Sequence, residues 1–302
     1  MYKSKHIKAV VFVLLIAGML QAGIMVYSGA ESQINGRYSQ ETSEINAQTA
    51  TPSGSAVLEV EIPKKEIDIS KVVLKKEVED AITSLDAANA ARNITNYKAL
   101  LLELEVPLSF QTEIEDMYIN GHKVQDVLVA YEYLYNYYGN IIELEGLIKQ
   151  KESGKAWETI FKEYKKRTPE FIPGNFEAGK LEETFKISNL TPDDVIIADR
   201  IAQQSGAEFD ELVAMRGQGL DWKTINEGLG IVNTSSELPR VAITSAQVKN
   251  YIKSTGLSEE KVIETLVLAQ KLDKDGKAII DKVKAGNAEE DIIAQSLEEK
   301  YQ

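Results

Sequence analysis

From about residue 70 to the end of the chain, apolar positions recur at spacings of three and four, the signature of amphipathic helices. Val72, Val73, Val78, Ile82 and Leu85 mark one helix face, and 97–104 reads as a second helix ending near Pro107. Ile114 and Met117 belong to a third helix, broken by Gly121. The stretch 124–138 is strongly apolar and stops at Gly139, and helices over 141–148 and 157–164 follow it. Further on, Thr191-Pro192-Asp193-Asp194 combines a capping threonine, a proline at the first helical position and a carboxylate that reaches back to the cap. Ala198, Ile201, Ala202 and Ser205 continue that helix up to Gly206. Phe209, Leu212, Val213 and Met215 predict a short helix that ends at Gly217 or Gly219. Asp221 then caps a third helix carrying Trp222, Ile225 and Leu229, which Gly230 closes. Helices over 245–254, 258–272, 277–284 and 289–300 complete the pattern, the second of them capped by Ser258. Helices this short cannot bury an apolar face alone, so they must pack on one another, and the fold class expected is all-α.

An internal repeat organises the series. Gly154-x-x-Trp157-x-Thr-Ile160 recurs as Gly219-x-x-Trp222-x-Thr-Ile225, and these two places hold both tryptophans of the chain. Weaker copies stand at Gly121 and Gly286. An aliphatic residue precedes each glycine by seven positions: Ile114, Leu147, Leu212 and Ile279. A large residue follows by ten or eleven: Tyr131, Tyr164, Leu229 and Leu297. The glycines, indoles and isoleucines of the two strong copies read as structural anchors in the core, not as ligand contacts. The expected blocks are therefore 70–166, around Gly121 and Gly154, and 191–302, around Gly219 and Gly286. A linker at 167–190, carrying Pro169, Pro173, Gly174 and Gly179, separates them, with one short helix expected at 181–185, and 231–244 with Pro239 is a smaller one.

The first 30 residues read differently. Lys3, Lys5 and Lys8 precede an apolar run over 9–27, and Ser28-Gly29-Ala30 fits a small-x-small cleavage site. A cleaved signal peptide is expected; an uncleaved anchor is the alternative, since such a run nearly spans a bilayer. Both place the remainder outside the cytoplasm, with membrane contact only through this segment if it is retained. Residues 31–69 are expected to form a flexible tether, and 57–62 alternates like a short strand.

Composition removes several chemistries. The 302-residue chain has no cysteine, which excludes disulfides, thiolate catalysis and thiolate metal ligation. Its formal net charge is −13, which repels polyanions, so nucleic acid is not an expected partner. His6 and His122 are its only histidines, and His122 beside Gly121 reads as a surface residue in a helix–helix turn. Ser258-Glu-Glu-Lys261 matches the S-x-x-K of penicillin-binding enzymes, but Lys253-Ser-Thr-Gly256 departs from their Lys-Thr-Gly, and capping accounts for Ser258. Asp273-Lys-Asp275-Gly276 has the start of a calcium loop, but lysines occupy its first and last ligand positions. No metal, cofactor or catalytic residue is assigned. Five tyrosines crowd 131–138; Tyr131, Tyr135 and Tyr138 share one face and Tyr133 and Tyr137 another. Packing accounts for most of them, and Tyr133 and Tyr137 are the candidate interaction surface.

The run Trp222-Lys-Thr-Ile225-Asn-Glu-Gly-Leu229-Gly230, after the glycine-ended helices at 198–206 and 209–219, resembles a short helical repeat of uncharacterised secreted proteins from Gram-positive bacteria. The resemblance covers some 40 residues well and 139–164 in part, where Tyr164-Lys165 replaces the terminal Leu-Gly. It implies an extracytoplasmic helical-repeat protein of a Gram-positive-type bacterium and brings no catalytic residue. The expected function is non-catalytic interaction with an envelope protein or a cell-wall polymer. A carboxylate-dependent cell-wall hydrolase and a structural coat component are the alternatives.

Overall fold

The computed structural model describes the backbone of 25–27 and residues 67–302, apart from 169–170, 188–189 and 239. Most of the expected signal segment, the expected tether up to residue 66 and the alternating stretch 57–62 lie outside the described residues. The fold is all-α. The helices are α1 (Lys76–Leu85), α2 (Ala90–Glu103), α3 (Leu108–Ile119), α4 (Val124–Asn136), α5 (Leu144–Glu152) and α6 (Trp157–Arg167). After them come α7 (Ala178–Thr184), α8 (Pro192–Ser205), α9 (Phe209–Gly217) and α10 (Trp222–Leu229). The last are α11 (Ser245–Thr255), α12 (Glu259–Lys271), α13 (Gly276–Lys284) and α14 (Glu289–Tyr301). The expected linker at 231–244 contains a short strand, β2 (Arg240–Ala242), paired in parallel with β1 (Met25–Tyr27). No described helix is long and apolar enough to cross a membrane.

One backbone corner joins most of these helices. Gly121, Gly154, Gly219 and Gly286 have φ of +93°, +95°, +97° and +90°. In each case the next residue donates its N–H to the carbonyl four positions before the glycine. The bonds are His122 to Met117 (3.0 Å), Lys155 to Gln150 (3.2 Å), Leu220 to Met215 (3.3 Å) and Asn287 to Lys282 (3.2 Å). Two further residues complete the turn, and the next helix opens on the third: Val124, Trp157, Trp222 and Glu289. This is the Schellman closure of a helix C-terminus, which favours glycine because a Cβ is disfavoured at such a φ. The same bond forms at three residues that are not glycine. Glu105, Tyr138 and Asp273 take φ of +48°, +55° and +52°. After them Val106 donates to Leu101, Gly139 to Leu134 and Lys274 to Ala269.

The corners turn both flanking helices into shared cores. Ile114, Leu147, Leu212 and Ile279, each seven before a glycine, are buried, as are Val127, Ile160, Ile225 and Ile292, each six after. Trp157 and Trp222 open α6 and α10 and are 1% and 0% exposed. They lie in different cores, one built mainly on α1–α6 and the other on α8–α10. A third core joins β2, α11, α12 and Ile280 of α13. The packing crosses the expected division at 167–190. Ile292, Ile293, Ala294, Leu297 and Tyr301 of α14 belong to the core of α1–α6. Ion pairs follow the same seam: Lys162–Asp291 at 2.5 Å, Lys165–Glu290 at 2.9 Å and Lys151–Glu298 at 2.9 Å. The basic cluster on α6 is thus the counter-surface of the acidic start of α14.

A main-chain weld ties the end of α10 to the turn after α4. Ile141 donates to the Gly230 carbonyl at 2.8 Å, Val232 to the Gly139 carbonyl at 2.9 Å, and the Asn140 amide to the Leu229 carbonyl at 3.0 Å. Gly230 has φ of +73°, and a Cβ there would sit 2.8 Å from the Asn140 side-chain oxygen, so both conformation and space demand glycine.

Gly154 and Gly219 have open space beside them, so an alanine there meets only the backbone cost of the left-handed region. Gly154→Ala and Gly219→Ala are each expected to destabilise by about 1–2 kcal/mol in urea unfolding. Gly146→Ala, inside the exposed face of α5, should instead stabilise by about 0.5–1 kcal/mol. Equal effects at the three positions would contradict the corner geometry.

Candidate functional site

The two indoles occupy matching places in two three-helix units, α4–α5–α6 and α8–α9–α10. Each opens the third helix, and each faces the aspartate that is the third residue of the first helix. In the second unit the contact is closed. The Trp222 indole N–H donates to Asp194 Oδ1 at 2.7 Å, and Arg216 Nε donates to the same oxygen at 2.9 Å. The other carboxylate oxygen of Asp194 accepts from the Thr191 N–H at 2.7 Å and the Thr191 hydroxyl at 2.8 Å. Burial pushes the Asp194 carboxyl upward, but Arg216, Thr191 and Trp222 together outweigh it and hold it below its ordinary value. In the first unit Asp126 lies beside Trp157, and the buried indole N–H points at its carboxyl without the short, well-aligned bond that Trp222 makes. Burial there wins, and the Asp126 carboxyl is raised against the pull of Lys151, Lys123 and the Trp157 indole. The second unit is therefore locked by charge-assisted bonds that the first lacks.

The expected exposure of Tyr133 and Tyr137 is corrected. Tyr133 is fully buried, stacked on Phe161 at 3.7 Å between ring centroids, with its hydroxyl donating to the Phe161 carbonyl at 3.3 Å. Tyr137 is half-buried, and its hydroxyl donates to Glu289 at 3.1 Å. The physical reason is α14: it packs over the second tyrosine face of α4 as well as on α6. With α2, α3 and α5 on its other sides, α4 is apolar all round because it is surrounded. Even its Glu132 is buried, held by Lys300 at 2.9 Å and by the Tyr301 hydroxyl.

The other sequence candidates are accounted for locally. His122, expected at the surface, has a side chain only 12% exposed, with Nδ1 2.8 Å from Glu152. Ser258 Oγ accepts from the Lys261 N–H at 3.2 Å, while the Lys261 ammonium turns away to Glu264 at 3.1 Å. Asp275 caps α13 by accepting from Ala278 at 2.8 Å. Among the described residues no group of three His, Asp or Glu side chains is placed to hold a metal ion.

A second charged centre was not legible in the sequence. Arg200 of α8 is 2% exposed, with its guanidinium carbon 4.2 Å from the centre of the Tyr138 ring and 5.3 Å from that of Phe171. Lys271, at the end of α12, places its ammonium 5.9 Å from the centre of the neighbouring Tyr137 ring. Burial pushes the Lys271 ammonium down to about 7; Arg200 and, more weakly, Lys165 add to the shift, and Glu289 opposes it. Burial lowers Arg200 as well. These side chains lie far apart in sequence and come to the turn after α4 only in the folded chain, over Tyr138 and Tyr137. A single lysine at a helix C-terminus gives no periodic signal of its burial.

No protein-family model, curated protein or solved structure matches this chain.

Asp194→Ala removes a cap, an ion pair and the acceptor of a buried indole, and is expected to cost about 3 kcal/mol in chemical denaturation. Asp126→Ala removes neither a cap nor an ion pair and should cost less than half of that. Lys271 releases its proton near 7 in the folded chain but near 10.5 when unfolded. Between those values the unfolded chain binds more protons, so the lysine makes stability rise with pH and leaves its full penalty in place below 7. Thermal unfolding across that window should show Lys271→Met raising the midpoint most at the acidic end and flattening the rise. A midpoint shift equal at both ends would contradict the depressed ammonium.

Proposed function

We propose that the chain is a non-catalytic extracytoplasmic scaffold whose packed helical repeats present a surface to a protein or polymer of the cell envelope. The observation that supports this reading most is a pair of exposed aliphatic side chains beside the weld. Leu108 and Ile142 are 73% and 83% exposed. Their chain neighbours hold them on either side of the last turn of α10: Ser109 donates to Glu227 at 2.5 Å, and Ile141 to the Gly230 carbonyl at 2.8 Å. An aliphatic pair pinned by hydrogen bonds is a low-entropy contact surface, because binding need not order it again. The repeat supports the reading too, since stacked short helices build broad surfaces from backbone geometry rather than from a cleft. The signal-like N-terminal sequence supports an extracytoplasmic place for this surface.

The test is retention of the purified chain by cell-wall fractions and by solubilised envelope proteins. Binding to one fraction is expected, weakened about tenfold or more by the Leu108→Ser, Ile142→Ser pair, each replacement being worth about 1 kcal/mol or more at a buried contact. Retention by no fraction, or retention unchanged in the double variant, would overturn the proposal.

A further inference from the structure

The body of the fold holds β2 in place independently of β1. Val241 of the strand and Ile243 just after it are 3% and 4% exposed and belong to the third core. Arg240 donates to Asp193 of α8 at 2.6 Å. Thr244 then caps α11: its hydroxyl accepts from the Gln247 N–H at 3.2 Å, and its own N–H donates to the Gln247 side chain at 2.9 Å. The strand is therefore tied to α8 at its start and to α11 just past its end. Among the described residues β1 is the only strand paired with it, in the register Met25–Arg240, Val26–Val241 and Tyr27–Ala242. In sequence, β1 ends on the residue before Ser28-Gly29-Ala30. The ladder thus holds the three residues that lead directly into the small-x-small site.

We propose that β2 is a docking edge for the end of the chain's own signal segment, and that the pairing shields the small-x-small site from the protease that removes such segments. This role rests on the reading of residues 1–30 as an export signal. The step it controls is hydrolysis of the Ala30–Glu31 amide: one water is consumed, and a carboxylate at Ala30 and an amine at Glu31 are left. A protease takes the chain before the cut as an extended strand, recognised through its main chain. Its cleft closes round that strand, so a segment already lying on a folded body cannot enter it. Processing then depends on timing. A chain cut before residues 240–242 are folded loses its signal, whereas one that folds first keeps it. Cleavage also removes β1 and bares the β2 edge, whose main-chain groups must then pair with water or with another strand.

Incubation of the full chain in detergent micelles with a bacterial signal peptidase tests the shield, with mass spectrometry reading the cut after Ala30. A peptide of residues 21–40 carries the same site without β2. It should be cut about tenfold or more faster than the folded chain, in which cleavage follows the population of the opened state. Ala242→Pro puts a proline into the paired strand and should bring the full chain close to the peptide's rate. Because the chain has no cysteine, Met25→Cys with Arg240→Cys gives a pair that the β1–β2 register brings together. Adjacent strands lie within disulfide reach, so oxidation should link the pair and stop cleavage, and reduction should restore it. The cysteine pair reads the docking whether or not Ala242→Pro disturbs the third core. Equal rates for peptide and folded chain, or failure of the cysteine pair to link, would overturn the proposal alone. A peptide that is not cut would overturn the export reading of 1–30 and the proposal with it. Neither result bears on retention by envelope fractions, which is read at Leu108 and Ile142.

Discussion

A chain that enters the left-handed region three residues before a helix begins must reverse sharply, and that reversal is what this protein is built from. The residue at the corner ends one helix by letting its successor bond back to a carbonyl four positions before the corner. The aliphatic side chain seven before and the large side chain three after then fall into one core, as Leu147 and Trp157 do in one unit and Leu212 and Trp222 in the other. Corner geometry and core composition support each other. The turn fixes which residues meet, and burial of indole and isoleucine supplies the apolar area that short helices lack individually.

The two strong copies diverge in their polar fittings. Around Trp222 one carboxylate serves as helix cap, ion-pair partner and indole acceptor. Around Trp157 the equivalent aspartate is left raised and without an ion pair, but that unit gains α14, whose acidic residues meet Lys151, Lys162 and Lys165. The first unit is thus held by a helix from the far end of the chain, the second by its own local charges. The weld at Gly139–Val232 joins the two.

Glycine made four of the corners readable in the sequence, together with the tryptophan spacing and the Thr191 capping box. The corners at Glu105, Tyr138 and Asp273 were not readable, because a residue with a Cβ gives no hint that its φ is positive. Their presence shows that tertiary packing overrides the local preference. The tyrosine faces of α4 were legible as pattern but not as burial. Periodicity says which residues share a face; it does not say that a helix some 150 residues later will cover it. The Arg200–Lys271 pair escaped for a related reason. Charged residues in a helix read as solvent-facing by default, and only the packing of Tyr138 and Phe171 against Arg200, and of Tyr137 near Lys271, departs from that.

The whole architecture requires Gly154 and Gly219 to stand at equivalent corners. Experimental coordinates test it most directly through the superposition of residues 142–166 on 207–231. The account predicts φ near +95° at both glycines, the return bonds of Lys155 and Leu220 in both copies, and overlapping indoles at the first turn of the following helix. A negative φ at either glycine, or indoles pointing into unrelated surroundings, would contradict it.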